Sequence, residues 1–507
     1  VKGASALSEL PRIRNTNISH LNGDAVRLSE ANEVRNIVIN ESIRGAIYGL
    51  NSPNTVIQGN DISGFNTICT IGFTVQPFVL PTVLPFIGAP ILLPAGWAGI
   101  MVDANSGAGK INIIDNYVHN SACGNGIDIR ISGNADYIAE VSGNNVQELE
   151  FGPLHQAGVH LVHAISLQVR NSGKLTANSK NNSQSYIGAE GADCEGLFMN
   201  LSENGNALWT IDRNLFKHGI GGFSCNGLEV VISNGSGKAE AYVSNSYFED
   251  NPGDMIQLLN FGTASTTILS VDNVVIKDTD TRGGDPDING FPANRGIPGN
   301  LGDCLLAGST GSGNVTHVTV KNSDFSGCNN GLSLLSGISP LGNVLGSLTG
   351  GSLLPNILSN NGDLLSSIAG PDGVLQIEIN NTAIYNNDNN NFVVAVLAPL
   401  RTLNVKVDES SFNNAGVNSI LLRKHSTASV AESNIDFGNG ALGSVGGNCI
   451  LSGSSFDVRS EDFSAVMRGN WWGQPGGPNP ESISTSGQGN LDLSMPLNSA
   501  PIFCLDQ

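Results

Sequence analysis

Positive charge is scarce in this sequence. Lys and Arg number 24 against 44 Asp and Glu in 507 residues, which gives a formal net charge of -20 with only 13% charged residues. A phosphate backbone rewards clustered Lys and Arg, so nucleic-acid binding is not expected. Helical periodicity is missing too, and helices should be few. The eight cysteines, Cys69, Cys123, Cys194, Cys225, Cys304, Cys328, Cys449 and Cys504, include no close-spaced pair of the zinc-ribbon or redox kind. The opening VKGASALSELPRIRNTNI lacks the apolar run of a signal peptide and reads as a mature or trimmed start.

What the chain does have is a 40% hydrophobic content, enough to bury a large core. It also has a phrase that keeps returning. IQGNDI, IIDNYV, IDRNLF, VSNSYF, VDNVVI and VKNSDF place an Asn between apolar residues, and Gly-led strands such as NGIDIRIS, AGVHLVHA, EGLFMNLS and NGLSLLS follow. The Asn copies include Asn40, Asn60, Asn116, Asn144, Asn214, Asn245 and Asn273, so the period lies near 20 to 31 residues. Short strands at that period are what a parallel β-helix requires, each coil burying its apolar side on its neighbours. Asn suits the coil corners because it tolerates left-handed backbone angles, and stacked amides can form ladders. The repeat runs from about Ile13 to Trp472, which favours one all-β solenoid domain over 1–507, closed by an end segment at about 470–507.

Cys304 and Cys328, 24 apart, and Cys194 and Cys225, 31 apart, are separated by about one coil and could bridge stacked neighbours. Disulfides would place the protein in an oxidising compartment, secreted or at a cell surface. Buried free thiols are the other reading.

Two long apolar insertions interrupt the repeat, at about 62–98 and 336–370. No charged residue lies between Asp61 and Asp103, yet Pro77, Pro81, Pro85, Pro90 and Pro94 recur every four or five residues and exclude a transmembrane helix. The insertions could cover sheet edges, wall a cleft, form an oligomer interface or meet a hydrophobic partner.

Side chains alternate along a strand, so the Gly-led strands can be divided into inward and outward residues. Ile100, Val102, Ile127, Ile129 and Ile131 should point in. Met101, Asp103, Asp128, Arg130, His160, Phe198 and Asn200 should point out, with Arg27 and Tyr48 on the same face. Coils stack about 4.8 Å apart, which would align Asp103, Asp128 and His160 on three rungs with Arg130 beside them. Paired carboxylates raise one another's pKa and suit general acid work at a glycosidic bond. The same carboxylates could hold calcium while Arg130 or His160 abstracts a proton in β-elimination. Arg27, Tyr48, Trp97, Phe198 and Asn200 would bind substrate, the rings by stacking on sugars. A plain solvated ion pair is the alternative reading of the Asp and Arg.

His155, His160 and His163 fall within nine residues, but His160 and His163 should face opposite sides of one strand, which opposes a shared metal. Asp285, Asp287 and Asn289, followed by Gly290, follow the order that opens an EF-hand loop and form a candidate calcium site. Gly296 stands where the closing Glu belongs.

The coil phrases resemble the right-handed parallel β-helix, or pectin-lyase-like, superfamily of secreted bacterial proteins. RGNWWGQPGGPNP, with Trp471 and Trp472, is similar to the C-terminal segment of many such proteins and would pack the end. The resemblance implies a groove along one sheet and a polysaccharide or surface-glycan partner. The Asn-Thr-Asp, Asp-Asp, Gly-His-Gly and Arg-Ile-Lys segments of polygalacturonases are absent, as is the Arg-x-Pro-x-x-Arg of pectate lyases. The expectation is therefore a carbohydrate-active enzyme, hydrolase or lyase, with a noncatalytic adhesin or a hydrophobic-substrate enzyme as its rivals.

Overall fold

The computed structural model describes residues 12–21, 24–29, 33–68, 71–78, 91–121, 123–149, 161–188, 193–219, 225–251, 253–277, 302–309, 312–336, 373–396, 398–425, 428–451 and 453–504. The fold is an all-β, right-handed parallel β-helix in which each coil contributes one strand to each of three parallel sheets. The described residues contain no α-helix, only the 3-10 turns Pro480–Ser482 and Ile502–Cys504. None of their helices is long and apolar enough to cross a membrane.

The chain divides into two compact units. In the first, which is mainly residues 1–247, sheet 1 includes Asn54–Gln58, Ala108–Ile114, Asp136–Ser142, Lys174–Lys180 and Asn206–Asp212. Sheet 2 includes Asp61–Phe65, Tyr117–Ser121, Asn145–Leu149 and Ser183–Ile187. Sheet 3 includes Val26–Ser29, Ile47–Leu50, Ile100–Ala104, Ile127–Ile131, Leu161–Val169, Asp193–Leu201 and Cys225–Ile232. In the second unit the same three-strand order builds coils such as Val315–Lys321, Asp324–Ser326 and Asn330–Ser336. Inward residues form the core as the alternation requires: Ile100, Val102, Ile127, Ile129, Ile131, Ile165, Leu167, Leu197 and Met199 have no solvent exposure.

The corner between sheets 1 and 2 explains the Asn phrase, because it uses two residues with different tasks. The first adopts left-handed angles, as Asp115 (φ 55°), Asn181 (φ 53°), Arg213 (φ 52°) and Asn245 (φ 49°) do. The second turns its amide inward along the stack. Asn60 Nδ2 donates to Asn116 Oδ1 at 2.7 Å, Asn116 to Asn144 at 2.9 Å, Asn144 to Asn182 at 3.0 Å and Asn182 to Asn214 at 2.9 Å. Every amide in this ladder points the same way, and each Oδ1 also accepts a backbone N–H from the preceding coil. Buried amides are tolerated because they are bonded on every side. Asn40 is not in the ladder; Ile37 occupies that corner, its N–H bonded to Asn60 Oδ1. Asn245 is likewise the left-handed residue, with Ser246 behind it in the ladder position.

Within the first insertion, Ile71–Phe78 and Ile91–Gly96 pair antiparallel, and Ala95 joins Leu161 of sheet 3 in parallel. Residues 69–70 and 79–90 of the first insertion and 337–370 of the second lie outside the described residues. Cys304–Cys328 and Cys449–Cys504 are disulfides, and no described cysteine is free. The first joins adjacent coils as its spacing suggests. The second ties Cys504 back to the strand Cys449–Ile450, a pairing the spacing did not indicate. Disulfides are the chemistry of an oxidising compartment.

Candidate functional site

Sheet 3 of the first unit brings most of the candidate residues together. Register pairs Arg27 with Tyr48, Tyr48 with Met101, Met101 with Asp128, and Leu50 with Asp103, which in turn faces Arg130. Arg27 Cζ lies 5.4 Å from the Tyr48 ring centroid, and Tyr48 meets Trp97 edge-on at 6.1 Å. Arg44 lies over the other aromatic, 5.7 Å from the Trp97 ring. Trp97, Tyr48 and Asp103 are each half-buried.

The two carboxylates differ. Asp103 is partly open, and burial pushes its carboxyl above the ordinary range, with Arg130 opposing and Asp128 reinforcing the shift. Asp128 has no exposure at all and accepts from Arg130 Nε at 3.2 Å and from Gln168 Nε2 at 3.3 Å. Arg170 Nη2 continues the chain to Gln168 Oε1 at 3.1 Å. Burial lowers both guanidinium pKa values, that of Arg170 to about 10. Asp128 therefore anchors a guanidinium network, whereas Asp103 is the more open of the two carboxyls and the one whose pKa burial raises.

The third rung needs correction. Ser166 faces Asp128 and Gln168 faces Arg130, so His160 does not occupy the position expected of it. The Gly-led phrase AGVHLVHA suggested a strand start at Gly158. The ladder is instead closed by Ile165, Leu167 and Val169, whose alternation matches Ile127, Ile129 and Ile131, and Ala164 takes the place of the leading Gly. His155 and His160 lie outside the described residues, as do Asp285, Asp287 and Asn289. Among the described residues no group of three or more His, Cys, Asp or Glu is placed to hold a metal.

Phe198 and Asn200 occupy the outward positions of the next coil, but outward does not mean exposed. Phe198 is 4% exposed and stacks on His163 with 4.1 Å between ring centroids. Asn200 Nδ2 donates to Ser233 Oγ at 3.0 Å. His163 in turn lies beside Glu195, with Nε2 and Oε2 2.6 Å apart and no exposure on either side chain.

A second arrangement escaped the sequence reading. In the second unit Asp303 N–H donates to Asp254 Oδ1 at 2.7 Å, Gln257 Nε2 donates to Asp254 Oδ2 at 2.6 Å, and Asn330 Nδ2 donates to Asp303 Oδ1 at 2.8 Å. Burial and the neighbouring Asp303 push the Asp254 carboxyl up to about 7. The available signal was the repeated Gly-Asp before an apolar strand, GDMIQLL and GDCLLAG, 49 residues apart.

No protein-family model, curated protein or solved structure matches the chain.

Proposed function

We propose that the protein is a secreted, pectin-lyase-like carbohydrate-active enzyme that cleaves a polysaccharide bound along the outer face of sheet 3. The observation that carries this reading is the position of Asp103: a half-open carboxyl with a raised pKa, opposite Arg130 and close enough to Tyr48 to raise that phenol's pKa, with the Tyr48 ring meeting Trp97 edge-on. A protonated carboxyl there can donate to a glycosidic oxygen, while the aromatic pair and Arg27 hold the sugar rings. Asp128 fixes Arg130 so that its guanidinium faces the same sugar. The net charge of -20 disfavours long polyanions and favours a neutral polysaccharide.

One observation favours a second reading. Arg130 stands opposite Asp103 in the register, where its guanidinium would pair with a uronate carboxylate, as a lyase requires. A screen against neutral and acidic polysaccharides, with calcium and with chelator, separates the two. Reducing ends without new unsaturation support hydrolysis; unsaturated uronates support elimination; binding without either product supports a noncatalytic adhesin.

A further inference from the structure

Basic residues are scarce in the chain as a whole but not at its start. The first 44 residues carry six Lys and Arg against five Asp and Glu, whereas the whole chain carries 24 against 44. Three of those six share one outer face. Arg12 and Arg14 belong to the sheet 1 strand Arg12–Arg14, and Glu33 and Arg35 to the neighbouring strand Glu33–Arg35. Register pairs Arg12 with Glu33, Ile13 with Val34 and Arg14 with Arg35. Val34 is wholly buried, so alternation turns the charged residues on either side of it outward.

All three guanidiniums converge on one carboxylate. Arg14 Nε donates to Glu33 Oε1 at 2.9 Å, and its Nη2 reaches the same oxygen. Arg35 Nε lies 2.6 Å from Oε1, and Arg12 Nε lies 3.6 Å from Oε2. Burial works to raise the Glu33 carboxyl, but bonds from Arg14 and Arg35 hold it below its ordinary value, so it is ionised at neutral pH. Three cations against one anion leave an excess of two positive charges. Val56 and Gln58, which follow Glu33 and Arg35 in the next strand, add no charge. The carboxylate side chain is only 10% exposed, whereas those of Arg12, Arg14 and Arg35 are 51%, 46% and 33% exposed. Glu33 therefore gathers the forks from beneath. The Nη groups of Arg12 and Arg35, and Nη1 of Arg14, have no partner among the described residues.

The ligand chemistry follows from the donors and the charge. Guanidinium forks match the oxygens of sulfate, phosphate and carboxylate groups, and several forks suit a tetrahedral oxyanion that can accept from more than one side. The excess of two charges is what one such group can neutralise. A nucleic acid or an anionic membrane presents these groups densely and would bring many of them against a molecule of net charge -20. A glycan can present one alone.

We propose that Arg12, Arg14 and Arg35 form a binding surface for a single sulfate or phosphate ester carried on a glycan. The surface lies on sheet 1, whereas Asp103 lies on sheet 3, and it holds whether or not Asp103 cleaves.

The test is calorimetric titration of the full-length protein at low salt with glucose 6-sulfate, glucose 6-phosphate and glucose. The expected result is saturable binding of one or both esters and none of glucose, weakening as ionic strength rises from about 0.01 to 0.15 M. The double variant Arg12→Gln with Arg35→Gln leaves Glu33 paired with Arg14. It should lose at least about ten-fold in ester affinity while its unfolding midpoint stays near that of the parent. Replacement of the exposed Arg401 by Gln removes one positive charge elsewhere and should leave ester binding unchanged, as should Asp103→Asn. If neither ester binds, or if the double variant and the Arg401 variant bind equally, the proposal is overturned. Single-stranded DNA and vesicles of anionic phospholipid serve as the other arms. Binding of either one, lost in the double variant while the glucose esters fail to bind, would overturn the glycan assignment.

Discussion

Asp303 donates its backbone N–H to the Asp254 carboxylate of the preceding coil, and the two side chains are buried together. The Asp254 pKa is raised to about 7 and that of Asp303 is raised as well, burial being the leading cause of both shifts. An unfolded Asp titrates near 3.9, so between about pH 4 and pH 7 the folded state binds more protons than the unfolded one. Stability from this pair is therefore fully present below pH 4 and is lost as pH rises toward 7. Urea midpoints should fall over that window by the equivalent of ~3 kcal/mol, and Asp254→Asn should flatten the slope. A parent protein whose Asp254-dependent stability rises with pH would contradict the sign.

The amide ladder makes a separate prediction. Asn144 joins Asn116 and Asn182 and also donates to the Ile113 carbonyl at 2.9 Å. Asn144→Ala strands donors and acceptors on both neighbouring coils and should destabilise the first unit by about 2–3 kcal/mol. The exposed Asn171, also left-handed at φ 55°, should tolerate replacement by Gly with a change within about 0.5 kcal/mol. Denaturant unfolding of the two variants checks the contrast.

Asp436 staples the turn that follows its strand. Its carboxylate accepts the backbone N–H groups of Gly438 and Gly440 on Oδ1, and of Leu442 and Ser444 on Oδ2, at 2.9 to 3.2 Å. Asp436→Ala should cost on the order of 3 kcal/mol and make the amides of residues 438–444 exchange faster with solvent. Unchanged exchange there would count against the staple.

The Cys449–Cys504 disulfide closes a 55-residue separation. Chain-entropy arguments give such a closure about 4 kcal/mol. Cys504→Ser should therefore lower the unfolding midpoint and expose the last residues to protease. Equal proteolysis of parent and variant would mean that the packing around Trp472 alone holds this end.

The repeat was readable because it rests on local chemistry: left-handed corners select Gly, Asn and Asp, and alternating aliphatics mark the inner face. The Asp103, Asp128 and Arg130 cluster came from the same alternation and is present in the stack. Reading His160 as the third member failed because a leading Gly is not obligatory, and Ala164 fits the same corner. Exposure was harder to read than direction, since Asp128 and Phe198 point outward yet are covered. The Asp254 and Asp303 pair was missed because its members lie 49 residues apart, and only the register of stacked coils brings them together.

The central claim, proton donation by Asp103, is tested most directly by comparing the parent protein with Asp103→Asn on a polysaccharide that the parent cleaves, across pH. The account predicts that the parent's rate falls as pH rises through the elevated Asp103 pKa, because a general acid acts only while protonated. It also predicts that Asp103→Asn binds the polymer but loses at least about 100-fold in rate. Equal cleavage by the variant, or a parent rate that climbs as Asp103 ionises, would contradict it.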